Sequence, residues 1–205
     1  ESIAIGYTAG QTNQGTRSVA IGYIAGNATQ SANSVAIGAS AGQYTQKAGS
    51  VAIGQNAANN QQATRSVAIG IDSGRTLQTA SCVSIGDTSA YDTQGTKSVA
   101  IGFSSGKYRQ GVGSGAGTGS AIAIGNNAGL GTTLIGQDTN AIAIGTDAGS
   151  VAQGTNTIAI GSSCGVTSQA TLCVAIGKEA GNTTQGTNSV AIGNTSGKYN
   201  QGKGT

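Results

Sequence analysis

Hydrophobic and small residues alternate in a short pattern that returns along the whole chain. Each copy reads Val or Ile, then Ala, then Ile, then Gly, with Ser84 replacing the Ala in one copy. Alternation of this kind, bounded by Gly, is typical of a short β-strand. The copies begin at twelve positions: Ile3, Val19, Val35, Val51, Val67, Val83, Val99, Ile122, Ile142, Ile158, Val174 and Val190.

The copies recur with a constant sixteen-residue period, apart from two longer steps. The longer steps run from Val99 to Ile122 and from Ile122 to Ile142. A constant period of this length is the signature of a solenoid. We therefore predict an all-β parallel solenoid, or β-roll, of about twelve coils stacked about 4.8 Å apart. Residues 1–109 and 142–205 form regular repeats, residues 110–141 form irregular repeats with insertions, and the whole is one continuous domain. Because residue 1 already lies inside a repeat, we expect a longer parent chain.

Gly and Gln occupy further columns of the repeat. A Gly follows each copy, and four residues later a second Gly occurs in ten of the twelve repeats, with Ala58 and Ala90 in the other two. Gly tolerates positive φ and close backbone approach, so both columns predict corners. A Gln recurs later in each unit, except in the repeat that begins at Ile122. The recurring Gln side chains either form an amide ladder along the stack or act as turn residues, each bonded to its own backbone.

The two faces of each strand differ in side-chain size, and we assign the larger aliphatics to the interior. The predicted core residues are Ile5, Val19, Ile21, Val35, Ile37, Val51, Ile53, Val67, Ile69, Val83, Ile85, Val99 and Ile101. This pair of aliphatics supplies about 3–5 kcal/mol per coil, whereas ordering the residues of one coil costs on the order of 20 kcal/mol. One chain is therefore expected to need partners.

The opposite face carries Ala in nearly every repeat, and a column of one small residue predicts close approach of another backbone. We expect a homo-oligomer, with three-fold association as the natural closed arrangement of parallel rods. The predicted interface residues are Ala4, Ala20, Ala36, Ala52, Ala68, Ala100, Ala123, Ala143, Ala159, Ala175 and Ala191.

The recurring Ser-Val-Ala-Ile-Gly phrase, followed by a small residue and Gly, resembles the YadA-like head repeat of trimeric autotransporter adhesins. Related repeats occur in fibres of phages and large viruses. The resemblance extends along essentially the whole chain. It implies a left-handed parallel β-roll, three chains per rod, exposure on a cell or virion surface, and frequent use in attachment. The period is longer here than in the usual adhesin repeat, which predicts a lengthened corner or outer strand.

The composition excludes several functions. The chain contains no His, which removes Ser-His and Cys-His catalysis. Its ten basic residues are scattered, whereas nucleic-acid binding needs Lys and Arg clustered on one face. No apolar run reaches the length of a membrane span. The seven carboxylates form neither a convergent pair nor a calcium repeat. We therefore expect no enzyme activity, no catalytic or metal residues, no cofactor, no nucleic-acid partner and no membrane insertion.

The interruptions hold the candidate ligand contacts. Residues 110–120 read QGVGSGAGTGS, which fits a flexible bulge better than a phosphate-cradling loop, since no Lys or helix follows. Loops on a rigid scaffold are where binding tends to reside. The candidate contacts are Tyr108, Arg109, Gln137 and Asp138.

Covalent chemistry offers two further possibilities. Asn27, Asn182 and Asn194 each begin a sequon, which matters if the chain enters a glycosylating pathway. Cys82, Cys164 and Cys173 fit small buried side chains, with a bridge between Cys164 and Cys173 as the alternative.

The pattern favours a non-enzymatic fibre or stalk segment, extracellular or on a virion surface, that presents or contributes to attachment. Two alternatives stay open. One is a self-assembling extracellular filament. The other is an adhesin head that binds a host-surface glycan or receptor.

Overall fold

A computed structural model describes residues 1–112 and 119–202. Within these ranges the chain is an all-β parallel solenoid of about twelve coils and contains no helix. Each regular coil has one three-residue strand, here called a long strand, and many coils have a two-residue strand on the opposite side, here called a short strand. The predicted fold class is confirmed.

The long strands coincide with the twelve copies of the hydrophobic pattern. They span Ile3–Ile5, Val19–Ile21, Val35–Ile37, Val51–Ile53, Val67–Ile69, Val83–Ile85, Val99–Ile101, Ile122–Ile124, Ile142–Ile144, Ile158–Ile160, Val174–Ile176 and Val190–Ile192. The short strands span Asn13–Gln14, Thr29–Gln30, Thr45–Gln46, Gln61–Gln62, Leu77–Gln78, Thr93–Gln94, Ser168–Gln169 and Thr184–Gln185.

All twelve long strands join in one parallel sheet, in the order of the coils. The register is strict, because Val35 pairs with Val51, Ala36 with Ala52 and Ile37 with Ile53. The sheet continues through the irregular region, where Val99–Ile101 pairs with Ile122–Ile124 and that strand pairs with Ile142–Ile144. The insertions therefore leave the stacking of the long strands intact.

The opposite side of the solenoid is a second ladder with one interruption, between Gln110 and Gln137. Six short strands form one sheet and two form another. Isolated parallel bridges link Gln94 to Gln110, Gln137 to Gln153, Gln153 to Gln169 and Gln185 to Gln201. Gln137 therefore fills the Gln position of the coil that begins at Ile122. The prediction that this coil breaks the Gln column is wrong, since Gln137 lies one regular period before Gln153 and pairs with it.

The interior of each coil is narrow and is filled by Ala and Gln. Ala20 is 0% exposed, and Gln30 is 1% exposed. A Cβ placed on Gly26 would lie 3.4 Å from the Ala20 Cβ and 2.9 Å from Gln30 Oε1. The space between the two sides of the coil therefore accepts a methyl group facing an amide, but not a branched aliphatic side chain.

The Gln side chains form the predicted amide ladder and also bond to the backbone across the coil. Gln46 Nε2 donates to Val35 O at 2.7 Å and to Gln62 Oε1 at 3.1 Å. Gln62 repeats this with Val51 O at 2.8 Å and Gln78 Oε1 at 3.0 Å. The ladder runs in three sections, from Gln30 to Gln110, from Gln137 to Gln153 and from Gln169 to Gln201. Each Gln in the ladder thus ties the two sides of its coil together, and within a section it also joins its coil to the next.

Replacing Gln62 by Leu is expected to destabilise the chain. The Val51 carbonyl then loses the donor from Gln62, and the Gln46 side-chain amide loses the acceptor on Gln62. An unsatisfied buried polar group costs about 1–3 kcal/mol, so we expect a loss of about 2–3 kcal/mol. Gln61→Leu is the matched control, because the neighbouring Gln61 side chain is exposed and makes no hydrogen bond within the described ranges. Chemical denaturation followed by circular dichroism measures both. Equal midpoints for the two variants would contradict a structural role for the ladder.

Candidate functional surfaces

The outer side of the long-strand sheet is an uninterrupted aliphatic surface. We call it the aliphatic face; it consists of the first and third residues of the twelve long strands, such as Val35 and Ile37. These side chains are half-buried in the middle of the rod, with Ile101 36% exposed, and more exposed towards the ends, with Ile5 58% and Ile192 64% exposed. Twelve strands at the usual spacing make this stripe roughly 60 Å long. A contiguous apolar surface of this size marks an interaction site.

The structure inverts the predicted assignment of the two faces. The predicted interface residue Ala4 is exposed in the first coil, but the other alanines are 0% exposed inside a single chain and cannot touch another chain; they are Ala20, Ala36, Ala52, Ala68, Ala100, Ala123, Ala143, Ala159, Ala175 and Ala191. The predicted core residues point outward and none is buried; they are Ile5, Val19, Ile21, Val35, Ile37, Val51, Ile53, Val67, Ile69, Val83, Ile85, Val99 and Ile101. The narrow interior described above is the physical reason.

The second insertion forms a compact loop between Leu130 and Gln137. Thr132 Oγ1 accepts hydrogen bonds from the backbone N–H groups of Leu134 at 3.3 Å and Ile135 at 3.0 Å. Leu134 is 84% exposed and Ile135 is 55% exposed. The loop therefore presents two aliphatic side chains beside a cavity of about 340 Å³.

The four predicted ligand contacts separate into different environments. Arg109 and Asp138 both line the cavity beside the insertion loop. Tyr108 does not line it, and its ring centroid lies 5.4 Å from the Lys107 ammonium. Gln137 is 1% exposed and donates from Nε2 to Ile122 O at 2.7 Å, so this prediction is wrong: its side chain belongs to the ladder. The predicted bulge at residues 110–120 falls largely on residues 113–118, outside the described residues.

A shallow groove lies on the side of the rod that carries the short strands, and the sequence prediction missed it. We call it the Tyr44–Tyr91 groove; it has a volume of about 470 Å³ and is lined by Tyr44, Asn59, Asn60, Arg75, Thr76 and Tyr91. These residues come from four successive coils at the two positions that follow the second Gly column. A signal was present in the sequence, because large polar and aromatic side chains recur at these two positions.

Two stretches of the chain match a known family. The YadA head domain repeat matches at residues 139–163 and again at residues 174–196. Both matches contain a long strand, its Gly corner and the second Gly. These are YadA-like head repeats. The other coils carry the same pattern at the same register in the same sheet. No curated protein and no solved structure matches the chain.

The three sequons differ in accessibility. Asn27 Nδ2 donates to Thr8 O at 2.9 Å, and Asn182 Nδ2 donates to Ser163 O at 2.7 Å. Asn194 is exposed, and its side chain makes no hydrogen bond within the described ranges. Glycosylation stays a prediction, and Asn194 is the acceptor whose amide is free.

All three cysteines are buried inside the solenoid as free thiols. The alternative of a Cys164–Cys173 bridge is therefore not realised. Burial raises the pKa of the Cys82 thiol, and it raises the pKa of Cys164 to about 11. Cys164 Sγ donates to Ala175 O at 2.9 Å. These thiols act as small interior side chains with a weak donor.

The Glu179–Lys198 ion pair lies at the surface of the solenoid. A hydrogen bond from the Lys198 ammonium lowers the pKa of the Glu179 carboxyl and raises the pKa of Lys198. Exposed pairs of this kind contribute little to stability. Within residues 1–112 and 119–202, no group of three His, Cys, Asp or Glu side chains is arranged to hold a metal ion. The same ranges contain no helix with the length and apolar character needed to cross a membrane.

Proposed function

We propose that this chain is a non-enzymatic segment of a surface-exposed fibre in which three copies pack through their aliphatic faces. The observation that carries the proposal is the single twelve-stranded sheet whose outer side is lined by Val and Ile. Burying this stripe against other chains stabilises the assembly by about 25 cal/mol for each Å² of apolar surface removed from water. The resemblance to trimeric adhesins supports three copies. The aliphatic face replaces the Ala column as the proposed interface.

The proposed role of the fibre is mechanical. In-register backbone ladders on both sides of each coil, together with the Gln ladder, resist bending between coils. Repeats that contact only their neighbours make a rod whose length scales with their number. Such a rod holds an attachment element away from a cell or virion surface. The match to the YadA head repeat supports a use in attachment and a location on a surface.

Light scattering and electron microscopy of the purified chain test this proposal. We expect a mass three times the 19.7 kDa of one chain and straight rods roughly 60 Å long. A mass of one or two chains would overturn the trimer. Filaments of unlimited length would instead support the self-assembling filament and contradict the spacer role.

A further inference from the structure

We propose that the Tyr44–Tyr91 groove binds a neutral oligosaccharide of about three hexose units, lying parallel to the rod axis. This goes beyond the fibre role, which assigns no ligand to the chain. The groove lies on the side of the coil that carries the short strands. An oligomer formed through the aliphatic face therefore leaves the groove open to solvent.

The two ends of the groove are aromatic. Tyr44 is 51% exposed. Tyr91 is half-buried and held in place, because Arg75 Nη1 donates to its hydroxyl at 2.8 Å and the Arg75 guanidinium carbon lies 5.4 Å from its ring centroid. The Lys107 ammonium lies 5.9 Å from the same ring. With cations over its ring, Tyr91 is a fixed amphipathic end of the groove. The exposed Tyr44 ring is the one whose face suits the C–H face of a pyranose.

The floor between the two rings is polar, and several of its side-chain donors and acceptors have no hydrogen-bond partner within the described ranges. Asn59 Nδ2 is occupied by Ser40 O at 3.1 Å and Gln43 Oε1 at 2.9 Å, so its carbonyl oxygen is left to accept. The side chains of Asn60 and Thr76 make no hydrogen bond within the described ranges. An amide and a hydroxyl supply both donors and acceptors. This combination matches the vicinal hydroxyls of a sugar.

The charge of the groove favours a neutral ligand. Arg75 is the charged residue in its lining, and the Asp72 carboxylate lies 3.6 Å from Arg75 Nε. The guanidinium is therefore engaged by both Asp72 and Tyr91. A sulfated or sialylated chain would need free cations along the groove, whereas Arg75 is paired with Asp72 and the neighbouring Lys107 ammonium lies over the Tyr91 ring.

The spacing of the rings sets the length of the ligand. Tyr44 and Tyr91 lie in coils three steps apart, which is about 14 Å at the usual strand spacing. One coil step is close to the advance per unit of an extended hexose chain. About three sugar units therefore span the distance from one ring to the other, which is consistent with the size of small-ligand sites.

Isothermal titration of the purified chain with cellohexaose, chitohexaose and mannohexaose tests the proposal. We expect at least one of them to bind, and we expect Tyr91→Ala and Tyr44→Ala each to weaken that binding about tenfold. Tyr199→Ala is the matched control, because Tyr199 is also exposed and lies 5.4 Å from a lysine ammonium but is outside the groove. It should leave the affinity unchanged.

The proposal is overturned if none of the three oligosaccharides binds at millimolar concentration. It is also overturned if Tyr199→Ala weakens binding as much as Tyr91→Ala, or if heparin binds more tightly with a steep salt dependence. Light scattering on the same sample reports the number of chains separately. A failed fibre model and a failed sugar site are therefore distinguishable.

Discussion

Replacing Gly54 by Ala is expected to destabilise the chain by at least about 3 kcal/mol, the upper end of the cost of backbone strain at one residue. Gly54 has φ +127, and a Cβ on it would lie 2.5 Å from the backbone oxygen of Gly70 in the next coil. Strain of this kind costs about 1–3 kcal/mol for a non-Gly residue. The collision with backbone adds to that cost, because coils in a ladder cannot move apart without breaking hydrogen bonds.

The matched control is Gly49→Ala in the preceding turn. Gly49 has φ +68, and a Cβ there would meet Arg65 Cγ at 3.8 Å, which is ordinary contact. Asn33 and Arg65 hold φ near +58 at the corresponding positions, so this column accepts side chains. We expect a cost of about 1–2 kcal/mol for Gly49→Ala. Urea denaturation measures both variants, and similar midpoints would show that the corner does not require Gly.

Introducing lysines into the aliphatic face is expected to convert the proposed trimer into single folded chains. In the double variant Ile37→Lys and Ile53→Lys, two ammonium groups replace outward-facing side chains on adjacent strands. Burying an unpaired charge in an interface costs several kcal/mol per ion. The interior of the coil is untouched, so the solenoid itself should persist.

The control adds the same charge to the same two coils on the other side of the rod. Thr45 and Gln61 lie on adjacent short strands, and Thr45→Lys with Gln61→Lys should leave the trimer intact. Light scattering should report 19.7 kDa for the first double variant, with an unchanged circular dichroism spectrum. A trimer that survives the aliphatic-face lysines, or dissociates equally with the control, would refute this interface.

Much of the architecture follows from local chemistry repeated at a fixed interval. The alternation Val-Ala-Ile located every long strand, and the column that includes Gly54 and Gly70 located the corner after it. Both depend on backbone properties that a residue carries in any context: the two-residue period of a strand, and positive φ at Gly. The Gln ladder was predicted as one of two alternatives, because in-register stacking places like side chains above one another.

The candidate sites were harder to predict because they depend on neighbours distant in the chain. Gln137 looked like part of a projecting insertion, yet parallel pairing with Gln153 draws it into the interior. The Tyr44–Tyr91 groove assembles one or two residues from each of four coils, none of which carries a motif. Such sites depend on which columns coincide at one level of the rod, rather than on any short stretch of sequence.

The sequence by itself determined the period, the strands, the corners and the stacking, since each arises from a preference that every repeat expresses alone. The tertiary structure decided which strand face is the interior. Alternation is symmetric between the two faces, and hydrophobicity alone favours placing Val and Ile inside. The short distance between the two sides of the coil reverses that choice, because Ala opposite Gln already fills the space. A branched side chain there would force the two sides apart. It would also break the hydrogen bond from the Gln side chain to the long strand.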